Sequence, residues 1–507
     1  MNDISSTSNA AGSAADPGGQ ASGSAAPDIR PNRLDNYQDV FSDLHPALSP
    51  HQALVEADRC YFCYDAPCMT ACPTHIDIPQ FIRQISGDNP QGAARTILNE
   101  NILGGMCARV CPTETLCEEA CVREAAEGKP VRIGLLQRYA TDILMDSGVH
   151  PFTRAPVTGK SIAVIGAGPA GLSCAHALAR NGHTVTIFEA RPKGGGLNEY
   201  GIAAYKSVDN FAARELEFIL KIGGISIETG KALGKDIHLD SLRSGYDAVF
   251  LGLGLGGTNA LGIAGEDAPN VLDAVRTIEE LRQSSDLSRI QVGKNIVVIG
   301  GGMTAIDIAI QIKRLGAETV TLAYRRDREH MNASLYEQQL AQTEGVVIRD
   351  CLQPQEIVVN AHGQATAIRL AQTEQRDGRL VATGAVLTLP ADQIFKAIGQ
   401  KFDGQGLGAS GIEMSAGRIK TDADKRTSVQ GIWAGGDCIA GGEDLTVASV
   451  QDGKLAAHSI HQQLMQLPEA VSGFTEAVLA ANRQNLPSLF PQAEAHTTTP
   501  FSPAKDH

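Results

Sequence analysis

The spacing of apolar residues changes character along the chain. From 1 to about 37 the sequence is Ser, Ala, Gly and Pro with almost no large apolar side chain, so burial cannot offset the entropy of ordering it, and the pattern predicts a disordered tail. Between 38 and 155, apolar residues recur three and four apart, over Ile78 to Ile85, Gly92 to Ile97 and Ile133 to Ile143, which predicts a helical domain. From 156 on, short apolar runs alternate with helical periods. Ser161 to Ile165 and Thr184 to Phe188 read as buried strands flanking a helix that ends at Arg180. The same series recurs, with strands at Asn295 to Ile299 and Thr319 to Ala323 around a helix from Ile306 to Leu315. Asp247 to Gly252 closes the first copy and Asp392 to Gly399 the second, so the pattern predicts an internal α/β repeat.

Composition narrows the possible functions. The 507 residues are 43% hydrophobic and 20% charged, an ordinary globular mix. The net charge is −14 and no Lys/Arg-rich run appears, so nucleic acid is not an expected partner. No run reaches the 18 or so apolar residues of a spanning helix, and the start lacks a basic stretch followed by an apolar one. The expectation is a cytoplasmic protein without a membrane partner.

Eight of the 11 cysteines fall between Cys60 and Cys121. They form two runs, Cys60-x2-Cys63-x4-Cys68-x3-Cys72-Pro73 and Cys107-x3-Cys111-Pro112-x4-Cys117-x3-Cys121. The first is close to the ferredoxin pattern, in which three nearby cysteines hold one cluster and a fourth, followed by proline, crosses to another. Two 4Fe-4S clusters are expected. A disulfide framework suits short exported chains, and structural zinc sites usually pair two Cys-x2-Cys knuckles, of which one exists here; a zinc-bound scaffold without turnover is the alternative from another class.

The turn after the first strand reads Gly166-Ala167-Gly168-Pro169-Ala170-Gly171, and the second strand ends at Glu189, 23 residues after Gly166. Strand, glycine turn, helix, strand and acid in this order form the dinucleotide fingerprint, with the helix N-terminus facing a pyrophosphate and the acid a ribose hydroxyl. In the second copy the turn is Gly300-Gly301-Gly302-Met303-Thr304-Ala305, and Tyr324-Arg325-Arg326 stands where the first has the acid. Two guanidiniums remove repulsion toward a 2′-phosphate and offer it bidentate donors, which favours NADPH over NADH. Cys174 and Cys438 form no close-spaced redox pair, so disulfide reduction is not expected.

Cys60-Tyr61-Phe62-Cys63-Tyr64-Asp65-Ala66-Pro67-Cys68, Cys72-Pro73-Thr74, Val110-Cys111-Pro112-Thr113 and Ile133-Gly134-Leu135-Leu136-Gln137-Arg138 carry a family likeness, as does Ser449-Val450-Gln451-Asp452-Gly453-Lys454. Over about residues 50–465 the chain resembles the N-terminal electron-transfer half of dihydropyrimidine dehydrogenase. More closely still, the whole resembles the small subunit of the two-subunit bacterial form, within the wider glutamate synthase small-subunit-like iron–sulfur flavoproteins. The resemblance implies a helical double-cluster domain at 38–155 and an FAD domain at 156–258 and 399–480. The NAD(P) domain, 259–398, would be inserted in it, and 481–507 would form a C-terminal tail.

The implied cluster ligands are Cys60, Cys63, Cys68 and Cys121 at one site, and Cys72, Cys111, Cys117 and Gln137 at the other. Spacing alone selects Cys107 rather than a glutamine, so both readings stand. FAD would meet Gly166, Ala167, Gly168, Pro169, Ala170, Glu189, Gly195, Gly196, Leu197, Lys206, Leu233, Gly436 and Asp437. The nicotinamide nucleotide would meet Gly301, Gly302, Met303, Thr304, Arg325, Arg326, Ala397, Ile398 and Gly399. A further basic residue of the family beyond Arg326 has no counterpart in His330-Met331-Asn332-Ala333, and the bacterial two-subunit enzyme is associated with NADH, which keeps NADH as the alternative.

After Lys454 only 53 residues follow, too few for an FMN barrel of roughly 250. The implied function is therefore an electron-input subunit for pyrimidine catabolism. Its partner would be an FMN- and iron–sulfur-containing catalytic subunit, joined in a heterotetramer, that reduces uracil or thymine. The alternative enzyme is the glutamate synthase small subunit, which delivers NADPH electrons to an amidotransferase large subunit.

Overall fold

A computed structural model describes residues 26–31, 37–376 and 378–467. Of the two expected tails, 1–25 and 481–507 lie outside these residues. Within the N-terminal one, Ile29–Pro31 is a strand antiparallel to Gln291–Gly293, and the Asp28 backbone N–H donates to Asp392 Oδ1 at 2.9 Å. Backbone pairing to a strand edge supplies here the order that composition alone does not, because a ladder needs no apolar side chains.

Two five-stranded parallel sheets carry the α/β part. The first runs Ile432–Ala434, Ala248–Leu251, Ser161–Ile165, Thr184–Glu189, Ile225–Thr229. The second runs Val271–Asp273, Gln393–Lys396, Asn295–Ile299, Thr319–Ala323, Val347–Arg349; its last four strands follow the order of the first sheet's last four, so the repeat read from the sequence is a repeat in space, while the edge strand comes last in chain order in the first sheet and first in the second. The chain leaves the first sheet after Ala248–Leu251 and returns to it with Ile432–Ala434, which makes the second domain an insertion in the first. A three-stranded antiparallel sheet, Leu352–Val359, Ala365–Arg376 and Arg379–Pro390, branches from the second domain, an element that the apolar pattern did not single out.

The region 38–155 is helical. Asp77 accepts from Gln80 N–H to cap Ile78–Ser86, and Asn89 accepts from Gly92 N–H to cap Pro90–Glu100. The helix Ile133–Asp146 buries Ile133, Leu136, Gln137, Ala140, Thr141 and Leu144, a stripe at helical spacing that carries a glutamine into the interior. Among the described residues no helix is long and apolar enough to cross a membrane.

Glu215 fastens this helical domain to the first α/β domain. Its Oε1 accepts the Met106 N–H at 2.9 Å, while Arg109 lies 3.4 Å from the Phe211 ring centroid. Burial pushes the Glu215 carboxyl up to about 8. The folded chain thus holds a proton that the unfolded chain releases above the ordinary 4.5, so this stability is complete at acid pH and is lost as pH rises through about 8. Denaturant titrations are expected to show a fall on the order of a few kcal/mol over that window, removed in Glu215→Gln. The same slope in the glutamine variant would assign it to another group.

Candidate functional site

The helical domain contains two thiol-lined hollows. Cys60 and Cys63, from the loop after the helix Pro50–Ala57, and Cys68, from the short helix Pro67–Ala71, meet Cys121 around the first. Cys72, Cys107, Cys111, Cys117 and Gln137 line the second. The structure thus brings together seven of the eight cysteines in the two groups that the resemblance implied, with Gln137 beside Cys72, Cys111 and Cys117. It places Cys107 there too, one turn before Cys111 along the helix Gly104–Val110 and its cap. Gln137 Nε2 donates to the Gly104 carbonyl at 2.7 Å, which leaves the amide oxygen as the end free to face the hollow.

The thiols oppose one another's ionisation. Burial, with Cys121 and Cys60 nearby, pushes Cys68 up to about 12. Cys111 is raised by its hydrogen bond with Cys107 and by burial, and Cys117 by burial and Glu118. Crowded thiolates of this kind are stabilised by bound cations, which reverse the local electrostatics. In each hollow the thiols surround a shared space, a donor set that suits a cluster of several irons.

The first glycine turn is shaped for close approach. Gly166 has φ +98°, and a Cβ there would lie 2.2 Å from the Gly252 carbonyl oxygen. The second copy repeats this: Gly300 has φ +150°, and its Cβ would lie 2.2 Å from the Ala397 oxygen. In both, the turn packs on the closing strand so tightly that only glycine fits. Glu189 accepts from the N–H groups of Ala167 and Arg191, both at 2.8 Å, and so braces the turn from the second strand's end. Gly195 N–H donates to the Ala167 carbonyl at 2.8 Å, and Gly196 approaches Gly168, which folds the loop before Leu197 over the turn that carries Pro169 and Ala170. Gly436 packs on Ala170 from the opposite side. Asp437 accepts from Ser449 Oγ at 3.3 Å, and burial pushes its carboxyl up to about 6.

Lys206 is buried, with its ammonium 2.8 Å from Asp307 and 2.7 Å from Glu337, both in the inserted domain. It is an interdomain ion-pair centre, a role that only the folded arrangement reveals. Leu233 bridges Ile237 beside the first domain's core.

A cavity of about 660 Å³ opens at the second glycine turn, within the usual range for a ligand pocket. Gly301, Gly302, Met303, Thr304, Arg325, Arg326, Ala397, Ile398 and Gly399 all line it, and Leu197 and Asp437 enter from the first domain. Tyr324, Asn259, Asn332 and Lys396 also line it and were not anticipated. The Tyr324 hydroxyl donates to the His330 carbonyl at 2.6 Å and accepts from Arg326 Nε at 3.1 Å, so the tyrosine positions one of the two guanidiniums.

All 11 cysteines are free thiols. Cys174 and Cys438 are buried, which raises the first well above its ordinary value and the second to about 11. Thiols held protonated in this way are poor nucleophiles.

Comparison with known proteins matches residues 160–453 to the pyridine nucleotide-disulphide oxidoreductase family, and 36–149 to dihydropyrimidine dehydrogenase domain II, 4Fe-4S cluster. The glutamate synthase (NADPH) small chain of Escherichia coli K12 is 35% identical over 443 residues, covering 83% of this chain and 93% of that one. The NAD-dependent dihydropyrimidine dehydrogenase subunit PreT of Salmonella typhimurium is 34% identical over 430 residues, covering 84% and 98%. Among solved structures, Mycobacterium tuberculosis FprA in complex with NADPH superposes with a TM-score of 0.51 at 20% identity, over 65% of this chain and 91% of that one, a likeness of fold.

Proposed function

The chain belongs to the pyridine nucleotide-disulphide oxidoreductases, as an iron–sulfur flavoprotein electron-transfer subunit of the type that includes PreT and the glutamate synthase small chain; from that footing we propose that it passes electrons from NAD(P)H, through FAD and two 4Fe-4S clusters, to a separate FMN- and iron–sulfur-containing subunit that reduces uracil or thymine to the 5,6-dihydropyrimidine. FAD supplies the conversion between a two-electron hydride donor and one-electron carriers.

The observation that supports this reading is a continuous line of shared residues. Leu197 and Asp437 belong to the flavin domain and also line the nucleotide pocket. The helix Thr446–Leu464 follows Asp437 and places Val447 at the second hollow. Ile78 lines both hollows. Nucleotide pocket, flavin cradle, second hollow and first hollow therefore follow one another, with thiols at the end remote from the nucleotide. In this reading Cys60, Cys63, Cys68 and Cys121 hold one cluster, and Cys72, Cys111, Cys117 and the Gln137 oxygen the other. The glycine turns and helix N-termini receive the pyrophosphates, and no side chain acts as acid or base.

The arginine pair favours the glutamate synthase reading as the second one, since that relative is named for NADPH and PreT for NAD. One experiment separates them. The purified chain is expected to oxidise NAD(P)H with an artificial acceptor and to leave uracil unreduced, and co-expression with an FMN-barrel subunit is expected to restore uracil reduction. Uracil turnover by the pure chain would overturn the two-polypeptide reading. Turnover of 2-oxoglutarate plus glutamine with an amidotransferase subunit, and none with the FMN subunit, would overturn the choice of partner.

A further inference from the structure

We propose that the Asn101 side chain donates a hydrogen bond into the second hollow, to a sulfur of the cluster held there, and thereby raises that cluster's reduction potential; the inference rests on the two-cluster reading above.

Asn101 caps the C-terminus of the helix Pro90–Glu100 and is completely buried. Three of its four polar groups are satisfied locally. Its N–H donates to the Ile97 carbonyl at 2.9 Å, its carbonyl accepts from Gly104 N–H at 3.0 Å, and its Oδ1 accepts from Leu103 N–H at 3.0 Å. The fourth, Nδ2, is buried without an acceptor, and the residue lines the second hollow. A buried NH2 with no partner is costly, and a fold retains one where a ligand supplies the acceptor. Turning the amide over offers no relief, because Nδ2 would then oppose the Leu103 N–H, donor against donor.

The neighbouring amide is arranged in the opposite sense. Leu103 N–H holds the oxygen of Asn101, and the next carbonyl, that of Gly104, holds the NH2 of Gln137. One short segment at the start of the helix Gly104–Val110 thus presents a donor from Asn101 and an acceptor from Gln137 to the same hollow. The acceptor suits iron and the donor suits sulfur. An N–H directed at cluster sulfur stabilises the more negative, reduced state, so it shifts the potential upward and makes this cluster the readier acceptor from the flavin.

The test is a potentiometric titration of both clusters by low-temperature electron paramagnetic resonance, with iron analysis and circular dichroism, on the full chain and on Asn101→Asp and Asn101→Ala. The signal lost in Cys117→Ser identifies the second cluster. Asn101→Asp keeps an oxygen for Leu103 N–H and replaces the donor with an acceptor; Asn101→Ala removes both. In each variant the second cluster's reduced-to-oxidised ratio at a fixed potential is expected to fall roughly tenfold, further in the aspartate, with the first cluster unmoved. An unshifted second cluster in a variant that holds both overturns the proposal. So does loss of that cluster from both variants with the fold intact, which would make the amide a structural cap. A native chain with iron for one cluster only would instead overturn the two-cluster reading.

Discussion

Gln137→Ala is expected to strip or loosen the cluster in the second hollow, whereas Cys107→Ala leaves four irons at each of two sites. Both residues line that hollow, so position alone does not separate them. Orientation does. The Gly104 carbonyl takes the Gln137 NH2, and the oxygen is left to ligate. An amide oxygen in place of a thiolate leaves the site one negative charge poorer, so the second cluster should also have a higher potential than an all-cysteine one. Iron retention against a chelator should drop by more than about a hundredfold in Gln137→Ala, beyond the effect usual for residues that only support a ligand. Iron analysis and low-temperature electron paramagnetic resonance on the two variants decide the matter. A Cys107→Ala protein that lacks one cluster would refute this ligand set and install the all-thiolate one.

What was legible in the sequence was what is local. The strands Ser161–Ile165 and Asn295–Ile299 fall on the residues that the apolar runs marked, because a buried parallel strand is a continuous apolar stretch whatever surrounds it. Glycine turns read equally well, since their requirement is steric and lies within a few residues. Long-range partners left no such trace. Lys206 looked like a flavin contact by position in the family, and its carboxylate partners Asp307 and Glu337 lie about a hundred residues or more away in sequence. Asn101 carried no periodic or motif signal, since asparagine at a helix end is ordinary and its orphaned NH2 exists only once Leu103 N–H has fixed the amide. Cys107 and Gln137 could not be separated by spacing because one helix presents the cysteine and another the glutamine to the same space.

The Michaelis constant for NADPH is expected to rise about tenfold or more in the double variant Arg325→Ala, Arg326→Ala, with that for NADH changed by less than about twofold. Both guanidiniums line the nucleotide pocket at the end of the strand Thr319–Ala323, where the first copy has the acid Glu189. Arg326 is held by the Tyr324 hydroxyl, which is itself tied to the His330 carbonyl, so the donor is oriented before any ligand arrives. A charge-assisted contact to a 2′-phosphate is worth about 1.5–3 kcal/mol, and an unphosphorylated ribose offers nothing equivalent to lose. The native constant for NADPH should also climb with salt, and the variant's should not, because screening acts on the charge pair that the variant lacks. Equal losses with both nucleotides would show the pair to be a solvated strand end. The nucleotide pocket and the thiol-lined hollows are separate sites, so this measurement decides which nucleotide is read and leaves the electron acceptor to the turnover assays.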